Sequence, residues 1–77
     1  MVLKPPVASY QASYPGEWVA ELLIPDFLIK PALKGSKRSQ DDIAMRFRTV
    51  CERDYGDKPE WVNFDQLVLI KMPNALP

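Results

Sequence analysis

Basic side chains gather in the middle of the chain, where they could hold a phosphate or a carboxylate. Residues 30–48 include six lysines and arginines and two aspartates, a local charge of +4, although the formal net charge of the whole chain is zero. A helix is predicted just after the loop KGSKRS, and the free backbone N–H groups at a helix start bind anions. The pattern predicts a surface for a protein partner with an acidic patch. Its candidate residues are Lys34, Lys37, Arg38, Arg46 and Arg48.

A plainer interpretation of the same stretch stays open. Asp41 and Asp42 fall in the predicted first turn of the helix, where they would compensate the helix dipole and repel an anion. The loop would then be only a solvated connection into a well-capped helix. Charge is nevertheless segregated along the chain, because residues 51–65 carry five acidic and two basic side chains, a local charge of −3.

The acidic stretch ERDYGDKPE lacks the spacing of a metal site. Asp54, Asp57 and Glu60 could approach a divalent cation, but the D-x-D-x-D-G pattern of a calcium loop is missing, and a solvated helix end explains the same residues. The absence of histidine and the single cysteine exclude His-dependent nucleophilic catalysis and a zinc cluster. The three glycines lie too far apart to form a phosphate-binding loop. We therefore expect no cofactor, no metal ion and no enzymatic activity.

A row of aromatic residues offers a different type of site. Tyr10, Tyr14 and Trp18 are spaced to share one face of a hairpin, where they could stack on bases as in single-strand-binding proteins. If the helix packs on that face, these residues belong to the core instead. Nucleic-acid binding through the sheet aromatics and the same basic surface is therefore the alternative function. The zero net charge counts against it, because such binding depends on neutralising phosphates.

The hairpin that carries these aromatic residues is predicted because core-facing and solvent-facing residue types alternate with a period of two. VASYQASY and EWVAELLI alternate in the way half-buried strands do, and Pro15 and Gly16 between them favour a tight turn with Gly16 at positive φ. The segment FLIKPAL is typical of a third strand, which Pro31 would confine to a sheet edge. The residues of the second strand that are expected to face the core are Trp18, Ala20, Leu22 and Ile24.

One helix is predicted after the basic loop. Ser39 is its expected N-cap, with Asp42 three residues later as in a capping box, and Gly56 is expected to end it in the left-handed conformation. An apolar stripe recurs at helical spacing and should face the sheet; it consists of Ile43, Ala44, Phe47, Val50 and Cys51. Two exposed ion pairs are expected from the spacing, Asp42 with Arg46 and Arg48 with Glu52.

The last element is predicted to be a strand within WVNFDQLVLIKM, interrupted near Asp65. Because residues 67–70 show no polar alternation, we expect a central strand covered on both faces, with Phe47 sharing a core with Val68 or Ile70. The predicted fold class is α+β, a small mainly antiparallel sheet of three to four strands with one helix packed on one face, in the order β-β-(β)-α-β. The 77 residues make one small domain, with extended or loose tails at residues 1–6 and 73–77.

These features favour a non-enzymatic protein-interaction module, such as a small adaptor, regulator, or inhibitor of the kind that viruses and mobile elements encode. The longest apolar runs are too short to cross a bilayer, so we expect no membrane association and a cytoplasmic location, which an unpaired cysteine fits. The sequence does not specify an oligomeric state. The order of elements carries no function by itself, because many unrelated small proteins share it.

Overall fold

The computed structural model describes residues 6–16 and 18–73, which form three strands and two helices. The predicted tails, residues 1–6 and 73–77, lie almost entirely outside the described residues. The elements in chain order are β1 Val7–Tyr14, β2 Trp18–Pro25, α1 Asp26–Leu33, α2 Lys37–Tyr55, a short 3-10 helix Phe64–Gln66, and β3 Val68–Lys71.

The hairpin formed by β1 and β2 follows the prediction. The two strands pair antiparallel over their full lengths, from Val7 opposite Pro25 to Tyr14 opposite Trp18. Gly16 in the connecting turn has a φ of 115°, which is strained for any residue with a Cβ. The residues predicted to face inward on β2 do so: Ala20, Leu22 and Ile24 are buried, and Trp18 packs against the core.

The last strand occupies a different place from the predicted one. The sheet order is β2-β1-β3, so β1 is the central strand and β3 pairs with it at an edge. Val68 and Ile70 are 55% and 53% exposed, and Leu69 between them packs against the core. A core shared by Phe47 with Val68 or Ile70, and a strand covered on both faces, were therefore wrong predictions. The predicted interruption near Asp65 is confirmed, because Phe64–Gln66 forms a 3-10 turn.

The segment FLIKPAL is a helix, so the predicted third strand at this position was wrong. Pro25 is extended at the N-cap and α1 begins at Asp26. Leu28 and Ala32 are both buried and lie about one helical turn apart, whereas Lys30 between them is exposed, and a strand would turn all three to the same face. Pro31 lies in the last turn, where its missing N–H costs the helix one hydrogen bond without a break in the chain direction. The structure is thus an α+β fold with a three-stranded antiparallel sheet and two helices.

The second helix matches the predicted one except at its start. It begins at Lys37 with Ser36 as N-cap, so the predicted N-cap at Ser39 was wrong, and its first turn holds no acidic residue. The reason is the tight connection after α1: Gly35 has a φ of 94°, and the N–H of Ser36 donates to the carbonyl of Pro31 (2.8 Å). The chain therefore turns into α2 sooner than the capping pattern indicates.

The core lies between the two helices and one face of the sheet. The two helices pack on each other, and the strand on which both of them pack is β2. The predicted stripe of α2 is confirmed as the face turned inward: four of its residues are buried and Val50 is partly buried. Gly56 ends α2 as predicted, with φ 72° and its N–H donating to the carbonyl of Glu52 (2.9 Å). Neither helix of residues 6–16 and 18–73 is long and apolar enough to cross a bilayer.

Candidate functional site

Three of the predicted basic residues gather where α1 turns into α2. Lys34 is the C-cap of α1, and Lys37 and Arg38 are the first two residues of α2, so these three side chains form a basic corner rather than a loop. All three are exposed. Lys37 is paired with Asp41 one turn further on, at 3.2 Å between Nζ and Oδ1. An exposed pair of this kind contributes little stability, so the charges of the corner remain accessible to a partner.

Arg48 lies apart from the basic corner. Its guanidinium donates to the carbonyls of Glu60 (3.5 Å) and Val62 (3.4 Å), so it ties the loop after α2 back onto the helix. The side chain is only partly exposed. Arg48 therefore has a structural role in this fold, and the five candidate residues do not form one continuous surface.

The predicted ion pairs along α2 are replaced by others. Neither Asp42 with Arg46 nor Arg48 with Glu52 is an ion pair of the structure, so both predictions were wrong. The ion pairs of the described residues are Lys37 with Asp41, Arg53 with Asp54, and Lys58 with Glu52. Arg46 consequently has no ionic partner among the described residues, although it is exposed on the middle of the helix.

The acidic stretch after the middle of α2 does not assemble a metal site in the part of the chain that the structure describes. Asp54 is committed to Arg53, whose Nε donates to Oδ1 at 2.8 Å. That hydrogen bond lowers the pKa of Asp54, and the positive charge of Arg53 acts in the same direction. Asp54, Asp57 and Glu60 are all exposed, at the end of α2 and in the loop after it.

The sheet aromatics lie under the helices. Tyr14 is 5% exposed and its ring centroid is 6.1 Å from that of Phe47, while Tyr10 and Trp18 pack against the core. The hydroxyl of Tyr14 donates to Oε1 of Gln66, which holds the 3-10 turn against the core. A base-stacking platform built from these residues is therefore not offered by the sheet, because the helices occupy the face on which they stand.

The opposite face of the sheet carries a group of exposed aliphatic residues that sequence reasoning missed. We call it the open face, since neither helix packs on it. Small polar side chains form its centre on β1, where Ser9, Gln11 and Ser13 alternate with core residues. Aliphatic side chains surround this centre on all three strands; they are Val7, Val19, Leu23, Val68 and Ile70. The sequence does contain a signal for this face. Aliphatic residues occupy both odd and even positions of β2 and β3, a pattern that is typical of strands buried on both sides.

A groove runs between the outer edge of β2 and α2, and sequence reasoning gave no sign of it. The cavity that contains this edge groove has a volume of about 930 Å³, within the range of ligand-binding pockets, and it also extends to Ser9 and Gln11 of the open face. One wall is the edge of β2 at residues 19–23. The other wall is formed by α2, where the partly buried Val50 is flanked by the exposed Met45, Arg46, Thr49 and Arg53. Arg46 is the one candidate basic residue that lines this groove.

The single cysteine belongs to the core, as predicted. Cys51 is fully buried on the inner face of α2. Burial is the main cause that raises the pKa of its thiol, and the negative charges of Asp57 and Asp54 add to the effect. A buried thiol with a raised pKa is a poor nucleophile, so Cys51 is a packing residue and does not contribute to a site.

No protein-family model, no curated protein and no solved structure matches this chain. The function is therefore argued from the open face, the edge groove and the distribution of charge.

Proposed function

We propose that this protein is a non-enzymatic protein-interaction module of the cytoplasm, an adaptor, regulator or inhibitor, and that a partner protein docks on its open face. The observation that carries the proposal is the uneven covering of the sheet. Both helices pack on one face, and five aliphatic side chains stand exposed on the other. Single exposed aliphatic residues are ordinary, but five of them on one uncovered face of a sheet, around the polar row of β1, support a binding surface.

The size of the open face favours a transient partner over a permanent second copy of the chain. Strands of eight, eight and four residues, spaced by about 4.8 Å, give the face roughly 330 Å² in projection. That is within the usual range of the largest apolar patch on a monomer. It is well below the roughly 800 Å² that a standard interface takes from each partner, and its centre is polar rather than apolar. A different protein that adds contacts beyond this face fits these properties better.

The basic corner adds electrostatic steering to this proposal. Positive charge is concentrated at Lys34, Lys37 and Arg38, although the net charge of the whole chain is zero. We therefore expect a partner that carries an acidic patch. Exposed charges of this kind act more on the association rate than on the lifetime of a complex. With the partner in hand, Lys37→Glu combined with Arg38→Glu should slow association several-fold at low salt without a change in melting temperature. Lys58→Glu, a charge reversal in the loop after α2, is the control.

The proposal is tested by two double variants that each replace two exposed apolar residues. Val68→Gln with Ile70→Gln changes the open face, and Phe27→Gln with Leu33→Gln changes α1 instead. All four side chains are more than half exposed, so both variants should keep the melting temperature of the parent. The partner is captured from native cytoplasm on the immobilised protein, identified by mass spectrometry, and purified for direct binding measurements.

The purified partner should lose binding to the open-face variant and keep it with the α1 variant. Equal binding to both variants would exclude the open face as the docking surface. The proposal would also fail if no protein of the extract is retained in a way that depends on Val68 and Ile70.

A further inference from the structure

Among the residues that the structure describes, no strand pairs with the outer edge of β2, which therefore presents a row of unpaired backbone groups. The carbonyl of Ser9 accepts from the N–H of Met72 on the β3 side, so the odd-numbered residues of β1 turn their backbone groups away from β2. The even-numbered residues of the two strands then face each other across the hairpin. The N–H and C=O groups of Val19, Glu21 and Leu23 consequently point outward, toward the edge groove.

One end of this edge is already closed. The hydroxyl of Tyr55, the last residue of α2, donates to the carbonyl of Val19 at 2.7 Å, which agrees with the outward direction derived above. The ring of Tyr55 packs edge-on against Trp18, with 5.5 Å between centroids. Among the described residues, the outward donors and acceptors left along the groove are those of Glu21 and Leu23, together with the N–H of Val19.

The position of α2 leaves room for one more strand beside β2. The helix lies mainly over β2, the edge strand, rather than over the central β1. An α-helix is about 10 Å across, so a helix centred on an edge strand extends about 5 Å beyond it, close to the spacing of one further strand. The groove wall from Met45 to Arg53 spans about 12 Å of helix, the length of three to four extended residues.

A second copy of the chain fits this place poorly. If the β2 strands of two copies paired edge to edge, the α2 helix of each copy would extend across the boundary between the two sheets. Both helices would then need the same space, because packed helices keep their axes at least about 8 Å apart. An extended segment without a helix of its own meets no such obstacle.

The groove wall defines the chemistry of that segment. On the helix side, the side chains of Met45 and Val50 offer apolar contacts, and Met45 is more than half exposed. Arg46 has no ionic partner among the described residues, whereas Arg53 is held by Asp54 at 2.8 Å. A carboxylate on the side of the segment that faces the helix would therefore form an ion pair with Arg46. Glu21 on the strand wall would repel an acidic side chain on the other side.

We propose that the edge groove binds an extended, acidic segment of a partner protein, which joins the sheet as a fourth strand beside β2. Main-chain hydrogen bonds to Glu21 and Leu23 hold the segment. Aliphatic side chains pack on Met45 and Val50, and one carboxylate pairs with Arg46. This assignment rests on the proposed role as a protein-interaction module and adds a second contact, which adjoins the open face at Val19 and Leu23, for the same kind of partner.

The test uses an acetylated and amidated hexapeptide, Val-Thr-Asp-Thr-Val-Thr, titrated into the isotope-labelled full chain and followed by amide NMR. This peptide places two valines and the aspartate on one side of an extended strand. Two further peptides carry N-methyl groups on either the odd or the even residues, because only one of these sets turns its N–H groups toward β2. A fourth peptide has lysine in place of aspartate.

The amide signals of Glu21, Leu23 and Met45 should shift on binding. One of the two N-methylated peptides should bind at least about tenfold more weakly, since it loses its main-chain donors, and the other should bind nearly as the parent peptide. Arg46→Glu should weaken the aspartate peptide about fivefold and favour the lysine peptide. Lys30→Glu, a charge reversal at an exposed position of α1 outside both the groove and the basic corner, should change neither.

An equal loss of affinity with both N-methylated peptides would overturn strand addition at β2. Amide signals that shift only at residues away from the groove would also overturn it. Absence of binding at millimolar peptide would overturn it as well. These failures are separable from failure of the proposed function, since the Val68 and Ile70 variant reports on the open face alone.

Discussion

The role of a basic side chain in this protein depends on what lies within its reach. Arg48 and Arg46 are two residues apart on α2, and the sequence assigned them to one surface. Arg48 donates to carbonyls of the following loop, whereas Arg46 lines an open groove without an ionic partner among the described residues. The sequence shows that both residues are basic. It does not show that their roles differ, because this difference depends on where the loop after α2 folds back.

The central packing residue of the fold is Phe47, which is fully buried, while Ile70 on β3 is half exposed. Phe47→Ala should lower the free energy of unfolding by about 3–5 kcal/mol, because it leaves a cavity under both helices. Ile70→Ala should cost less than about 1 kcal/mol. Urea unfolding followed by circular dichroism measures both. Phe47→Leu provides a milder variant in case the alanine variant does not fold.

If Phe47→Ala lowers the free energy of unfolding by less than about 1 kcal/mol, the helices do not cover the face of the sheet described here. An equal decrease for both alanine variants would lead to the same conclusion. The predicted ranking depends only on which of the two faces is covered, so it tests the layer arrangement directly.

The stability of the domain should fall with pH above the ordinary thiol range, in part because of Cys51. Burial raises the pKa of this thiol in the folded chain, so above about pH 8.5 the unfolded chain ionises first and is favoured. Stability that is present below the unfolded pKa is thus lost as pH rises. Urea unfolding at pH 8 and pH 9.5 should show a smaller decrease for Cys51→Ala than for the parent. The same decrease in both proteins would contradict this account of the thiol.

At the scale of secondary structure, the elements with a clean period were predictable and the others were not. The core residues of the β1–β2 hairpin recur at every second position, and α2 repeats its apolar residues over most of its 19 residues, so tertiary contacts reinforce the local pattern. In α1 the eight residues are mostly apolar and include Pro31, so neither period stands out. The local pattern there also suits a strand, and packing of Leu28 and Ala32 against the core selects the helix.

The end of α2 gives a prediction at the same scale. Gly56 has a φ of 72°, and an added Cβ would meet no atom within 4 Å, so the cost of substitution is conformational rather than steric. Gly56→Ala should lower the free energy of unfolding by about 1–2 kcal/mol. Gly56→Asn should cost less, because asparagine tolerates the left-handed region. Equal stability of the three proteins in thermal unfolding would show that the helix does not end in this conformation.

At the scale of the whole molecule, the two candidate binding regions follow from the placement of layers, which the sequence does not encode locally. The apolar run of β3 indicated burial on both faces, yet only Leu69 of that strand packs on the core. The edge groove exists because α2 lies over an edge strand, and no short pattern specifies that position. Fold class and much of the core were therefore within reach of the sequence, but the surfaces proposed for binding required the assembled fold.

The most direct test of this account is amide hydrogen exchange along β2 in the isolated protein. The N–H groups of Ala20 and Leu22 face β1 and should exchange slowly, whereas those of Glu21 and Leu23 face the groove and should exchange close to the rate of unprotected amides. This alternation is expected only if β2 is a free edge. Slow exchange at all four residues would contradict the account, because β2 would then be paired on both sides and the groove would already be filled.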